Sequence, residues 1–369
     1  MIVGVPKEIK THEYRIGMLP VAADLLTKRG HTVLIQDGAG EGSGFPNELY
    51  EEAGARIVPD AAAVYGEADM IVKVKEPQKS EIAMAREGQI LFTYLHLAAD
   101  KPLTEGCVNS GWIGVAYETL VDRRGRLPLL IPMSEVAGKM SVQEGAKFLE
   151  RTNGGRGVLL GGVAGVEPGH VLVLGGGTVG TCAARMAAGL GAHVTLLDTN
   201  LDRLRELDEW MPANVTLRYS DAHTIAERLT WADLVVGAVL IPGAAAPRLI
   251  RREHLKSMKP GSVLVDVAVD QGGCAETTHP TTHDDPIYVV DDVIHYCVAN
   301  MPGAVSRTST IALNNATLPW ILKLADHGPL KLAQEDPGFA EAINCLDRRL
   351  TNHPVAEAHD MEYTPLFPA

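Results

Sequence analysis

HVLVLGGGTVGTCAARMAAGLG, residues 170–191, is the stretch whose reading decides the fold. Its apolar run VLVL (171–174) reads as a buried strand, and a glycine turn then opens into a helix of small residues, TCAARMAAGLG (181–191). Glycines at 175, 177 and 180 fit G-x-G-x-x-G, which alone is a weak signal. The setting strengthens it: a strand before, a helix after, and a second strand, HVTLLD (193–198), that ends in Asp198, 18 residues after Gly180. There Gly175 permits the tight turn, Gly177 the approach of a pyrophosphate, and Gly180 close helix–strand packing, with phosphates resting on the helix N-terminus. A carboxylate at Asp198 can accept from both ribose hydroxyls and repels a 2′-phosphate, which favours NAD over NADP. Arg203 works against that preference, since a nearby cation welcomes a phosphate. The competing reading is a glycine-rich loop in an α/β unit that binds no nucleotide.

Working outward, the alternation continues through ADLVVGAVL (232–240), SVLVDVAVD (262–270) and IYVVDD (287–292). An earlier unit alternates in the same way. Ile2–Val5 reads as a strand, Pro20–Arg29 as a helix opened by proline and closed by Gly30, and His31–Gln36, Met70–Lys75 and Ile90–Leu95 as buried strands. Strand–helix alternation implies parallel sheets covered on both faces. The expected fold class is α/β, with two Rossmann-like doubly wound parallel-sheet domains flanking an active-site cleft. The last 60 or so residues read as helical, Ile311–Ala325 above all, and periodicity does not assign them to a domain.

Composition bounds the function. A chain of 369 residues is too long for one ordinary core, so two domains of roughly 150 residues are the natural division. Aromatics are only 5% while Gly numbers 37, a balance suited to close helix–strand packing. The start, MIVGVPKEIK, lacks the pattern of a signal peptide, and no uninterrupted apolar run of about 18 residues predicts a membrane span. Five scattered cysteines fit buried thiols in a reducing compartment, hence a cytoplasmic location. The group Cys274, His279, His283 and Cys297 lacks the paired spacing of a structural zinc site. A net charge of −13 argues against nucleic acid or an anionic membrane as partner, and says nothing about a small anionic substrate.

Ligands of open α/β sheets bind beyond the carboxyl ends of strands, which singles out four residues. His96, ending ILFTYLH, can take and return a proton near neutral pH, or can be a histidine satisfied by a backbone carbonyl. Lys75 closes IVKVK, where alternation puts Lys73 on the same face; two close ammoniums lower each other's pKa, which suits a lysine at a carbonyl, while the bland reading is a solvated strand edge. Asp270 ends SVLVDVAVD and can hold an amine or a water, with Asp266, deeper in the strand, as its competitor. Arg15, in THEYRIGMLP, can bind a carboxylate with two parallel hydrogen bonds or can be a surface cation.

VGVPKEIKTHEYRIGMLP, VKVKEP (72–77), FTYLHLA (92–98), PMSEVAGKM (132–140), GGRGVLLGGVAGVEP (154–168), VLVLGGGTVG, VDVAVDQGGC (265–274), HYCVANMPGAV (295–305) and TSTIALNNATLP (308–319) together resemble the alanine dehydrogenase family. The resemblance covers the chain up to about its last 40 residues. It implies NAD-dependent oxidative deamination of L-alanine to pyruvate and ammonium. It implies that Arg15 and Lys75 bind the substrate carboxylate and carbonyl, that His96 is the general acid/base, and that Asp270 is its partner at the amine. Around NAD it places Ser134, the turn Gly175, Gly177, Thr178, Val179 and Gly180, Ser220, Val239, Leu240, Val267, Ala268, Val269, Val298, Ala299, Asn300 and Met301, with Asp198 and Arg203 at the adenosine ribose. It further implies a homohexamer. The substrate domain is then residues 1–130 plus 304–369, and the NAD-binding domain is 131–303.

Two positions depart from the family pattern. Lys323 stands where some relatives carry a glutamate that can hold a metal with the histidine matching His327, so no metal is expected. His279 replaces a frequent arginine. The rival reading is the NAD-binding subunit of a proton-translocating transhydrogenase, which His96 and the absence of a predicted membrane helix argue against. Thinner rivals are a dehydrogenase that forms saccharopine and a catalytically inert NAD-binding protein.

Overall fold

The computed structural model describes residues 1–239 and 246–367. The chain divides into two compact units, Met1–Met133 with Gly303–Ala369, and Ser134–Pro302. In the first unit the strands β1 (Ile2–Val5), β2 (Thr32–Gln36), β3 (Arg56–Val58), β4 (Met70–Val72), β5 (Ile90–Thr93) and β6 (Ile113–Ala116) lie in the order β6-β5-β4-β1-β2-β3. All these pairs are parallel. The chain runs outward from β1 to β3, returns, and runs outward again from β4 to β6. The reversal between β1 and β4 opens a crevice at the carboxyl ends of those strands. Buried Leu34, Tyr65, Ile71, Leu91 and Trp112 form part of the core on one face. The helix Pro20–Lys28 starts at its proline, whose missing N–H costs nothing there, and buries Ala22, Ala23 and Leu26.

The second unit repeats the plan. Its strands are β7 (His170–Leu174), β8 (His193–Asp198), β9 (Val215–Tyr219), β10 (Leu234–Gly237), β11 (Val263–Asp266), β12 (Ile287–Val290) and β13 (Val293–Tyr296), ordered β12-β13-β11-β10-β7-β8-β9. The reversal here falls between β7 and β10, and the glycine turn follows β7 directly. Within this sheet the β12–β13 pair alone is antiparallel among the described residues, closed by Asp291 and Asp292 with φ of 47° and 62°. Aspartate tolerates that left-handed backbone better than most side chains.

Both sheets are therefore mostly parallel but mixed, and the helical reading of the C-terminus needs correction. The helix Ser306–His327 is longer than expected, and beyond it β14 (Ile343–Leu346) and β15 (Arg349–Leu350) extend the first sheet past β6 as antiparallel strands. Their turn, Asp347–Arg348, carries no glycine to announce it. The strands expected over 70–75, 90–95, 232–240 and 262–270 stop at Val72, Thr93, Gly237 and Asp266. Three of these truncations share a cause: beyond those ends, the N–H groups of Val74, Lys75, Leu95, His96 and Ala268 donate to carboxylates. No helix among the described residues is long and apolar enough to cross a membrane.

The glycine turn generates a test. Gly175 has φ 101°, and a Cβ on Gly180 would lie 1.8 Å from the Gly175 carbonyl oxygen, whereas a Cβ on Gly177 meets nothing within 4 Å. Gly180→Ala should destabilise the protein by roughly 1–3 kcal/mol, the usual scale of overpacking, and Gly177→Ala should melt like the parent. Equal melting temperatures for both variants in thermal scans would show that the turn yields.

Candidate active site

The carboxyl ends of the first sheet gather the charged residues of that unit. The loop after β1 brings Arg15 to a position 2% exposed, which corrects the surface-cation reading. Glu13 explains how a guanidinium survives there: its Oε1 accepts from Arg15 Nε at 2.6 Å and from the Arg15 backbone N–H at 3.1 Å, and its Oε2 pairs with Nη2. Burial opposes the charge, but Glu13 outweighs it and raises the Arg15 pKa. Nη1 reaches the Met133 sulfur at 3.0 Å. One edge of the guanidinium is thus committed to Glu13, which fixes the plane of the whole group.

Lys75 lies half-buried past the end of β4. Burial lowers its pKa, and the charges of Arg15 and Lys10 lower it further. Lys73 does not share its environment, as alternation had suggested. The Lys73 ammonium is fully buried between Glu8 at 3.0 Å and Glu81 at 2.6 Å, and it keeps its charge through them. The lowered pKa of Lys75 therefore comes first from burial and then from Arg15.

His96 follows β5 and is 42% exposed at its side chain. Its φ of 52° is a left-handed conformation that only surrounding contacts maintain. Glu118, just beyond β6, supplies them by accepting the N–H of His96 at 2.5 Å and that of Leu95 at 3.1 Å. Tyr94 stacks on the imidazole with 4° between the rings, and its hydroxyl donates to the Leu129 carbonyl at 2.6 Å. His96 Nδ1 lies 3.1 Å from Glu76 Oε2. Burial would raise the Glu76 carboxyl, yet the hydrogen bonds from His96 and Lys10 outweigh it and hold it well below the usual carboxylate range. An ionised Glu76 accepts from Nδ1–H, which directs Nε2 to proton exchange.

The second unit sets its candidates at the corresponding edge. Gly175, Gly177, Thr178, Val179 and Gly180 form the turn and first helical positions after β7. Asp198 ends β8, with Oδ2 accepting from Gly176 N–H at 2.6 Å and Oδ1 from Asn200 N–H at 2.7 Å. Arg203 donates to the Gly176 carbonyl at 2.8 Å, to Thr181 Oγ1 at 3.0 Å and to Glu206, so it braces the turn. Ser220 follows β9, Val239 follows β10, and Val267, Ala268 and Val269 follow β11. Val298, Ala299, Asn300 and Met301 follow β13, with Asn300 at φ 63°. Ser134 is half-buried on the helix Ile131–Phe148. Leu240 lies outside the described residues.

Asp270 is exposed on the short turn Val269–Gln271. Asp266 is fully buried, and its carboxylate is spent on the N–H groups of Ala268 (3.0 Å) and Cys274 (2.8 Å), so it anchors the turn that carries Asp270. His279 stacks on Tyr288 at 3.9 Å, and Lys323 lies over the Trp320 ring at 4.4 Å. Among the described residues no group of histidine, cysteine and carboxylate side chains is arranged to hold a metal.

The second unit fits a dinucleotide. The turn has room at Gly177 where a Cβ would project, the helix Thr178–Gly189 begins directly beside it, and each Asp198 oxygen keeps lone-pair capacity beyond its backbone bond. The chain matches the family models "Alanine dehydrogenase/PNT, N-terminal domain" over residues 4–137 and "Alanine dehydrogenase/PNT, C-terminal domain" over residues 141–353. It belongs to the alanine dehydrogenase/PNT family. Alanine dehydrogenase of Halomonas elongata is 55% identical over 363 residues, covering 98% of each chain. That of Bacillus subtilis is 51% identical over 366 residues, covering 99% of this chain and 96% of the relative. A solved L-alanine dehydrogenase superposes with a TM-score of 0.94 at 50% identity, covering 98% of this chain and 99% of its own. The transhydrogenase from Sinorhizobium meliloti superposes at 0.83 with 26% identity, covering 95% and 100%. The likeness is thus greater to the dehydrogenases than to the transhydrogenase.

Glu8, Glu13, Glu76 and Glu118 escaped the sequence reading, although Glu8, Glu76 and Glu118 each come soon after a buried run in the chain. Acids placed there were the available signal. The lowered pKa of Lys75 also yields a stability prediction. Because the folded protein binds this proton less tightly than the unfolded chain, stability rises with pH from the folded value towards the ordinary lysine value of 10.5. Lys75→Met should melt no lower than the parent at pH 7, and the parent should gain on the variant as pH approaches 10. A variant that melts lower at both pH values would make Lys75 a structural partner.

Proposed function

We propose that this chain is an NAD-dependent L-alanine dehydrogenase, which converts L-alanine and water to pyruvate and ammonium. The observation that carries the proposal is the placing of Arg15, Lys75 and His96 past the carboxyl ends of the parallel strands of one sheet, each held by its own carboxylate or hydroxyl partner. The whole-chain likeness to proteins named alanine dehydrogenase supports it.

When bound, NAD supplies the acceptor for the hydride on the substrate Cα. The turn Gly175–Gly180, Asp198, Ser220, Val239, Val267–Val269 and Val298–Met301 would hold it, with Ser134, and Arg203 would keep the turn in shape. Arg15 binds the substrate carboxylate through the side of its fork turned away from Glu13, with two parallel N–H donors. The Lys75 ammonium donates to the substrate oxygen and opposes the negative charge on the carbinolamine oxygen as ammonia leaves. Together they fix two ends of a three-carbon substrate, which orients Cα–H. His96 takes the amine proton on Nε2 and passes it to solvent, takes a second proton from the water as it adds, and returns that one to the departing ammonia, while the Glu76 carboxylate at Nδ1 stabilises the cation each time it forms. Asp270 serves at the amine. By the same reading the first unit is the substrate domain, with 1–130 and 304–369, and residues 131–303 bind NAD. The protein acts in the cytoplasm as a homohexamer that holds no metal and needs no nucleic-acid or membrane partner.

The test is NADH oxidation supplied with pyruvate and ammonium. Turnover is expected, and NADH binding without turnover would favour the transhydrogenase reading. His96→Asn, chosen because asparagine tolerates a left-handed backbone, should lower kcat at least about a hundredfold and leave NADH affinity intact. Loss of NADH binding together with turnover would make His96 a structural residue.

A further inference from the structure

Glu8, Lys73 and Glu81 form a buried cluster that the reaction scheme does not use; their side chains are 3%, 0% and 2% exposed. Glu8 has two tasks in it. Its Oε2 accepts from the Lys73 ammonium at 3.0 Å, and its Oε1 accepts from the backbone N–H of Val74 at 2.7 Å and of Lys75 at 3.3 Å. Since β4 ends at Val72, no strand carbonyl receives those two N–H groups, and a buried N–H without an acceptor is costly. The rest of this turn is held as firmly. The Lys75 carbonyl accepts from Thr93 Oγ1 at 2.9 Å, the Lys73 carbonyl from the Tyr117 hydroxyl at 2.9 Å, and Glu81 Oε2 from Gln78 N–H at 2.7 Å.

We propose that Glu8 is a positioning residue for Lys75, holding its backbone so that the ammonium stays half-buried beside Arg15. This rests on Lys75 being the ligand of the substrate carbonyl. The role belongs to the acceptor oxygen. The cluster holds two carboxylates against one ammonium, and burial drives the Glu8 carboxyl up against the pull of Lys73. Removing the Glu8 charge therefore leaves a balanced Lys73–Glu81 pair, whereas moving its oxygen releases the turn.

Two conservative variants separate the alternatives. Glu8→Gln loses the charge and the acceptor for Lys73 but keeps an oxygen that reaches the Val74 and Lys75 N–H groups. Glu8→Asp keeps the charge but withdraws it by one methylene. The full-length protein is assayed for KM of pyruvate, kcat and NADH affinity. Lys75 acylation by an amine-selective reagent is followed against pH by peptide mass spectrometry, with Arg15, Lys10, Glu13 and Glu76 as the charged groups around it. Glu8→Gln should stay within about twofold of wild type in KM for pyruvate and should label at the same pH midpoint. Glu8→Asp should raise that KM about tenfold with NADH affinity unchanged, and its Lys75 labelling midpoint should move up towards an ordinary lysine. The opposite order, with Gln impaired and Asp normal, would show that Glu8 serves only to neutralise Lys73. No shift in either variant would overturn the proposal. The labelling needs no substrate, so a wild type inert to pyruvate would refute the proposed reaction while the role of Glu8 is still decided.

Discussion

The burial of full charges at the carboxyl ends of the first sheet is the constraint on which the rest depends. A guanidinium or ammonium taken from water loses several kcal/mol of solvation, and only a well-placed carboxylate with its lone pairs satisfied restores it. Arg15 has Glu13, and Lys73 has Glu8 and Glu81. Each of these carboxylates also receives a backbone N–H, so the ion pairs and the chain path define each other. Lys75 and His96 inherit their positions from this framework. They are the less buried members of the group.

The second unit uses the same topology with the opposite chemistry. Its crossover edge is built from glycine, backbone and short side chains, and its carboxylates Asp198 and Asp266 are turned to backbone N–H groups. Such a surface suits a large ligand with its own charges, which needs close approach and oriented dipoles more than fixed cations. The first unit suits a small one, whose few atoms must be gripped by strong, directional partners. On the proposed function, the difference between two similar sheets follows from which residues come directly after the strands.

Much of this was legible in the sequence. The strand cores β1, β2, β7 and β8 and the glycine turn could be read from apolar runs, and Lys75 and His96 stood out as polar residues that end such runs. What the pattern missed were the partners. Alternation put Lys73 beside Lys75 because it assumed an unbroken strand, but the N–H groups past Val72 go to Glu8 and the chain turns. Arg15 read as a surface cation because its neutralising acid sits two residues away, in a loop with no periodicity. Glu118 supports His96 from 22 residues away in sequence, a contact that only sheet register creates. The hairpin β14–β15 was read as helix because its turn, Asp347–Arg348, holds left-handed φ angles without glycine.

On the proposed function, a guanidinium plane fixed by Glu13 grips the substrate carboxylate. The most direct measurement is pyruvate binding to the protein–NADH complex, followed by NADH fluorescence, in wild type and Arg15→Lys. Lysine keeps the charge and can remain paired with Glu13, but its compact ammonium cannot span both Glu13 and a second carboxylate. Pyruvate affinity should fall at least about tenfold in the variant while NADH affinity holds. Equal pyruvate affinity in the two proteins would contradict the account.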